Sequence, residues 1–258
     1  MEEIKIIFLA IVQGITEFLP ISSSGHIVLF ENILGSTDSN IILEVILHFG
    51  TLISILIFFR KDILKVVNGT LRGDKDSMSY GLQVIIATIP VVVFILLTKA
   101  LDFQIESLFV LKTLIFTYLV NSVILYITKG SKGVKNNITY FLAIVMGISQ
   151  VFALLPGISR AGITICTALF FGFNQKSAAK FSFFMAIPAM LGALIFKIED
   201  IYTQSAIEVH ALVLGFLFSM ITGLLVLKLL FRILENQKLW MFSFYSMLIW
   251  LTAILINE

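Results

Sequence analysis

The sequence predicts an all-α polytopic membrane protein built as an inverted-topology repeat, each half a re-entrant helical hairpin plus three transmembrane helices. Three observations carry that prediction. Of 258 residues, 59% are hydrophobic and only 13% charged, and the mean hydropathy is +1.03, far from a soluble domain that needs a charged surface. Two segments, Leu19-Pro20-Ile21-Ser22-Ser23-Ser24-Gly25-His26 and Leu155-Pro156-Gly157-Ile158-Ser159-Arg160-Ala161-Gly162, break apolar runs with Pro, Gly and hydroxyls. Non-helical backbone at membrane depth is tolerated only where protein or a water-filled cavity surrounds it. The charges between the apolar runs, finally, alternate in sign along the chain.

Region 4–35 holds a helix-length apolar run, the first break, and a second run of about 13 residues, short for a span. It reads as a hairpin that dips into the bilayer and returns to its own side, with Pro and Gly breaking the helix near the tip. Spans follow at 43–59, 80–98 and 108–127, each near the length a bilayer requires. Region 138–172 repeats the hairpin pattern around the second break, and spans at 178–197, 209–230 and 238–256 complete the chain. Two plain kinked spans in each hairpin region are the alternative. The whole of 1–258 is one membrane domain, with repeat one at about 1–128 and repeat two at about 138–258.

Loop charges orient the arrangement. Arg60, Lys61, Lys65, Arg72 and Lys75 share one connection, Lys129, Lys132 and Lys135 another, and Arg232 and Lys238 a third, which marks all three as cytoplasmic. Lys176 and Lys180 read as cytoplasmic flanks. The connections around Asp102/Glu106 and Glu199/Asp200/Glu208 are acidic and face outward. Threading the spans through these loops starts the first hairpin outside and the second from the cytoplasm, and leaves both termini outside. An odd number of crossings per half forces the inversion. Gly14-Ile15-Thr16-Glu17 before the first break and Gly147-Ile148-Ser149-Gln150 before the second support the duplication. Hairpins entering from opposite faces bring their tips together, and sites form at such repeat interfaces.

Other features exclude more than they propose. A net charge of +2 gives no nucleic-acid partner. The lone Cys166 excludes an internal disulfide and reads as a small buried side chain. The N-terminus has neither the basic region nor the small-residue cleavage site of a signal peptide, so the first apolar segment is expected to stay in the mature protein.

The chemistry concentrates at the two tips. Gln13 and Glu17, four apart, share a helical face, and a carboxylate at membrane depth is costly enough to mark function. Carboxylate oxygens suit a divalent cation, Mg2+ or Ca2+, held together with substrate phosphate. Ser22, Ser23, Ser24 and His26 offer hydroxyl nucleophiles and a proton partner within a few residues. At the second tip, Gly157, Ser159 and Arg160 open a helix whose N-terminus attracts anions, and a guanidinium matches phosphate oxygens. Thr164 lies one turn after Arg160 on the same face. Gln150 is kept as a cavity residue because it occupies the repeat counterpart of Glu17. His48 and Glu44 on the 43–59 span, and Asn121 in 108–127, read as interhelical hydrogen bonds.

At these segments the chain resembles the undecaprenyl-diphosphate phosphatase family of bacterial membrane proteins, also associated with bacitracin resistance. The resemblance covers essentially the whole chain and rests on Gln13-Gly14-Ile15-Thr16-Glu17-Phe18-Leu19-Pro20, on Ser22-Ser23-Ser24-Gly25-His26 and on Pro156-Gly157-Ile158-Ser159-Arg160. Ser23, His26, Ser159, Arg160 and Thr164 match the family's proposed catalytic and phosphate-binding positions. Two departures stand out: Gln13 where many members carry Glu, and Ala161 where Ser is common.

The resemblance implies release of the terminal phosphate of undecaprenyl diphosphate, recycling the lipid carrier of cell-wall synthesis. It also implies a place in the bacterial cell membrane, an active site open to the outer face, and bacitracin resistance through competition for the same lipid. Expected partners are the polyprenyl diphosphate, the bilayer and a second copy in a homodimer. In the mechanism expected from the sequence, Arg160 and the amides around Ser159 hold the terminal phosphate. Glu17 with Gln13 positions the cation, and Ser23 attacks with His26 as proton partner, or His26 activates water. The competing class is a secondary transporter or flippase of a lipid phosphate, which uses the same architecture but leaves Ser23 and His26 without a task.

Overall fold

The computed structural model describes residues 2–34, 41–196 and 208–257. Regular structure in them is helical, with one isolated β-bridge between Lys135 and Phe173. In chain order the helices are α1 (Glu2–Thr16), α2 (Ser23–Leu34), α3 (Ile41–Phe58), α4 (Arg60–Leu71), α5 (Lys75–Ala100), α6 (Leu111–Ile127), α7 (Tyr140–Phe152), α8 (Arg160–Phe170), α9 (Gln175–Phe196), α10 (Val209–Glu235) and α11 (Phe242–Asn257).

Five helical stretches are long and apolar enough to cross a membrane: α3, α5, α9, α10 and Leu239–Ile256, where a 3-10 turn leads into α11. The sixth expected span is shorter. α6 has 17 residues, about 25 Å of helix at the standard rise, because a 3-10 turn at Ile105–Leu108 and an extended Val110 take up its predicted start. Residue 35 of the first hairpin, residue 197 of the fourth span, the acidic pair Glu199/Asp200 and the Glu106 side chain lie outside the described residues.

Connection 60–75, expected as a basic loop, contains a helix. In α4, Ile63 and Val66 pack against the core, Leu64, Val67 and Leu71 are exposed, and Lys61 and Lys65 occupy a third face. Asp74 then caps α5 by accepting hydrogen bonds from the Ser77 hydroxyl and the Ser77 amide. Those bonds hold its carboxyl below the usual carboxylate range.

Packing is reciprocal between the halves. α1 and α3 both lie on α10, while α7 and α9 both lie on α5, and α6 packs against α11. Leu82, Ile85, Ile89, Val93 and Leu96 form an exposed stripe along α5 at helical spacing. In water such a stripe would be a liability, but in a bilayer it meets acyl chains. Inside, Phe18, Phe59, Phe183 and Phe231 meet edge-on or tilted, with ring centroids 5.5–6.2 Å apart. This aromatic layer lies between Glu17 and the basic end of the molecule, where Lys180 pairs with Asp62 at 2.5 Å and Lys176 with Glu235 at 2.6 Å.

Candidate active site

Both breaks form where the sequence predicts them, and each has a local cause. Pro20 has no N–H to continue α1, and Ser22 turns the chain with a φ of 65°, a left-handed conformation uncommon for a residue with a side chain. Gly157 makes the corresponding turn in the second break at φ 96°. A side chain at Gly157 would also strike Thr117, and one at Gly25 would meet the Tyr118 hydroxyl at 2.6 Å. Glycine thus lets both breaks approach α6.

α6 and α11 hold the two breaks together. Thr117 donates to the Pro156 carbonyl at 2.6 Å. The Asn121 amide donates to the Pro20 carbonyl at 3.1 Å and to Ser246 at 2.9 Å, while its oxygen accepts the Ser159 amide N–H at 3.1 Å. The breaks also bond directly, since the Gly157 amide donates to Ser22 Oγ at 3.0 Å. Ser159 Oγ accepts the Gly162 amide and caps α8.

Next to this junction a cavity of about 240 Å³ opens. Its polar wall is Thr16, Glu17, Ser22, Ser23, Ser24, His48, Gln150, Ser159 and Arg160, and its apolar wall comes from α5 and α9, including Val92, Ile95, Ala193 and Phe196. Glu17 is the centre of the polar wall. Its Oε1 accepts from Arg160 Nη2 at 2.6 Å; its Oε2 accepts from Ser23 Oγ at 2.9 Å and from Gln13 Nε2 at 3.1 Å. The carboxylate and guanidinium are largely buried, 8% and 17% exposed, so each depends on the other. Arg160 Nη1 and both amide atoms of Gln150 are buried without a hydrogen-bond partner among the described residues. Unpaired buried donors cost about 1–3 kcal/mol each, which an anionic ligand's oxygens would recover.

The expected residues separate into two groups. Glu17, Ser22, Ser23, Ser24, Gln150, Ser159 and Arg160 line the cavity, and Gln13 buttresses Glu17 from behind. His26 does not line it. Its Nδ1–H donates to the Ser22 carbonyl at 2.6 Å and its Nε2 meets the Tyr245 hydroxyl at 2.7 Å, with Tyr118 3.1 Å from Nδ1. The hydrogen-bond acceptor next to Ser23 is therefore Glu17. Thr164 is turned into helix packing, donating to the Arg160 carbonyl at 2.7 Å and meeting Ser182 at 2.7 Å. The Gly157 and Ser159 amides, expected on phosphate, are used inside the junction.

Thr117 and Tyr118 on α6, with Tyr245 and Ser246 on α11, position the breaks and are not among the residues the sequence singles out. Asn121, expected in an interhelical hydrogen bond, makes one to Ser246 and also holds both breaks, whereas His48, expected in the same role, reaches the cavity 3.8 Å from Glu17 Oε2. The available signal was polar side chains recurring one turn apart within apolar spans.

The model of the family described as bacitracin resistance protein BacA matches residues 6–252. An undecaprenyl-diphosphatase of Methanobrevibacter smithii is 36% identical, covering 99% of this chain and 97% of that protein. Those of Carboxydothermus hydrogenoformans and Thermosipho africanus are 35% and 39% identical, covering 100% and 97% of this chain and 98% and 99% of theirs. With its two breaks meeting at one polar cavity, the chain belongs to the bacitracin resistance protein BacA family.

Proposed function

We propose that this protein is a membrane phosphatase that hydrolyses undecaprenyl diphosphate to undecaprenyl phosphate and inorganic phosphate. The observation that carries the reading is the contact chain Arg160–Glu17–Ser23 at the junction of the two breaks, facing a cavity with one polar and one apolar wall. A polyprenyl diphosphate divides the same way: the diphosphate meets Arg160, and the prenyl chain leaves along the α5/α9 wall into lipid. Removing the diphosphate also lowers the amount available to bacitracin.

Arg160 binds the terminal phosphate through Nη1 and, once substrate competes for it, Nη2, stabilising charge as the bridging bond breaks. Gln150 Nε2 adds a second donor on the polar wall. Ser23 Oγ attacks phosphorus, its proton passes to Glu17 Oε2 and from there to the departing undecaprenyl phosphate. Water then attacks the phosphoserine, Glu17 takes its proton and returns it to Ser23 Oγ as the Ser–O–P bond breaks, and inorganic phosphate is released. In this reading His26 positions rather than reacts, because it anchors the Ser22 turn on which Ser23 stands. A divalent cation entering with the diphosphate would be held by Glu17 with the Gln13 side chain and would neutralise part of the diphosphate charge, although among the described residues no group of three or more His, Cys, Asp and Glu side chains forms a cage for it.

Inverted-repeat topology with re-entrant hairpins is the architecture this reading adopts. It is supported by the reciprocal packing of α1 and α3 on α10 and of α7 and α9 on α5. The cavity wall reaches Ile95 and Phe196, the ends of α5 and α9 remote from Lys75 and Lys176. Placing the basic connections in the cytoplasm therefore opens the site outward and puts both termini outside. The test is phosphate release by purified protein in detergent from undecaprenyl or farnesyl diphosphate, with and without divalent cation. Activity lost in Arg160→Ala supports the reading; no release by the wild type with any cation would replace it with a lipid-phosphate carrier.

A further inference from the structure

Val92 and Ile95 of α5 line the cavity, and Lys99 stands one turn beyond Ile95 on the same face of that helix. Its ammonium lies 4.7 Å from the centroid of the Phe196 ring, and Phe196 of α9 lines the cavity at the end remote from Lys176. Lys99 thus bridges α5 and α9 beside the apolar wall. Among the described residues no carboxylate pairs with it, and the side chain is exposed. An aromatic face is a weak partner for an exposed ammonium, and the flexible stem lets the charge leave it for a stronger one.

The charge balance of the cavity indicates which partner that is. Arg160 is the only Lys or Arg lining it, and the Glu17 carboxylate 2.6 Å away offsets that charge. A prenyl diphosphate brings more than one negative charge, and Arg160 serves only its terminal phosphate in the reaction proposed above. The lipid-side phosphate lies toward the apolar wall, because the prenyl chain leaves along α5 and α9. Lys99 is the cation beside that wall. A lysine in the last turn of a helix also complements the helix dipole and reaches toward the membrane surface. Neither of those roles depends on an anion, which is what separates them by experiment.

We propose that Lys99 binds the lipid-side phosphate of the substrate, leaving the Phe196 ring to do so, and thereby selects a lipid with two linked phosphates. Arg160 holds the phosphate that is released and Lys99 the one that stays with the lipid. This rests on the phosphatase reading and adds a second anchor to it. The Lys99 contact is present before and after the bridging bond breaks, so it acts mainly on binding, in KM rather than kcat. It also holds the prenyl phosphate product.

The experiment is steady-state phosphate release from farnesyl diphosphate by purified full-length protein in non-ionic detergent, under the cation condition that gives the highest wild-type release. Wild type is compared with Lys99→Arg, Lys99→Gln and Lys99→Glu, and with Lys75→Gln at the far end of α5 as the charge control. We expect KM to rise by about tenfold in Lys99→Gln and further in Lys99→Glu, and to stay within about threefold of wild type in Lys99→Arg, with kcat changed by less than about threefold throughout. Inhibition by farnesyl monophosphate weakens by about tenfold in Lys99→Gln, whereas inhibition by inorganic phosphate, held by Arg160, changes by less than about twofold. The wild-type KM also rises with salt more steeply than that of Lys99→Gln. An unchanged KM in Lys99→Gln, an equal rise in Lys75→Gln, or a lower kcat with KM unchanged overturns the proposal. A lower unfolding midpoint in Lys99→Gln with wild-type KM does the same, leaving Lys99 as a helix-end residue. Wild-type release with KM unaltered in Lys99→Gln sinks the second anchor and keeps the phosphatase; no release by wild type with any cation sinks both.

Discussion

Arg160 and Glu17 show how one residue's task depends on its neighbour. Arg160→Ala removes the proposed phosphate clamp and is expected to lower phosphate release by about 100- to 1000-fold. Arg160→Lys recovers only part, because an ammonium lacks the two-pronged donor geometry. Glu17→Ala leaves a largely buried guanidinium unpaired, an expected loss of about 3–5 kcal/mol visible as a lower unfolding midpoint. Glu17→Gln keeps the shape and separates the chemical role from the structural one. Ser23→Ala should reduce turnover by at least about 100-fold if its hydroxyl attacks; near-native turnover would leave direct attack by water. Trapped phosphate found on Ser23 would support the covalent route.

Helix α6 is as important to the site as the breaks are. Asn121 alone pairs the Pro20 carbonyl, the Ser159 amide and Ser246, and its side chain is almost wholly buried. Asn121→Ala strands backbone groups of both breaks at about 1–3 kcal/mol each. It should lower thermal stability and phosphate release together, although Asn121 does not line the cavity. At the other end of the molecule, Asp74 caps α5 with a carboxyl held below its ordinary range by Ser77. A depressed folded-state value stabilises above the unfolded value and is lost as pH falls through the folded one. Asp74→Ala is therefore expected to lower the unfolding midpoint at neutral pH, with the difference from wild type shrinking below roughly pH 4.

Across the whole molecule, access to the site follows from where the aromatic layer and the basic end lie relative to the cavity. Phe18, Phe59, Phe183 and Phe231, followed by the Lys180–Asp62 and Lys176–Glu235 pairs, close one side. The proposed orientation is tested with a membrane-impermeant thiol reagent on intact cells. Cys166 is fully buried and should stay unlabelled, so introduced cysteines report alone. Gln104→Cys should label and Lys132→Cys should not; the reverse pattern would turn the site toward the cytoplasm.

Much of this was legible in sequence because hydropathy, Pro and Gly act over a few residues. Apolar runs specified the membrane helices, Pro20 and Gly157 specified the breaks, and Glu17, Ser23 and Arg160 were recognisable as polar groups that lipid would not tolerate unpartnered. The pairing of those groups was not legible. Ser22 and Gly157 bond across 135 residues, and His26 and Tyr245 across 219, so which acceptor each donor meets depends on how α6 and α11 pack. Chain spacing alone put His26 within a turn of Ser23; tertiary packing gave Ser23 to Glu17, took His26 and Thr164 into the framework, and brought His48 to the cavity. Sequence determined which groups must be satisfied inside the membrane, and the tertiary structure decided by what, because a hydrogen bond or ion pair is set by distance in space.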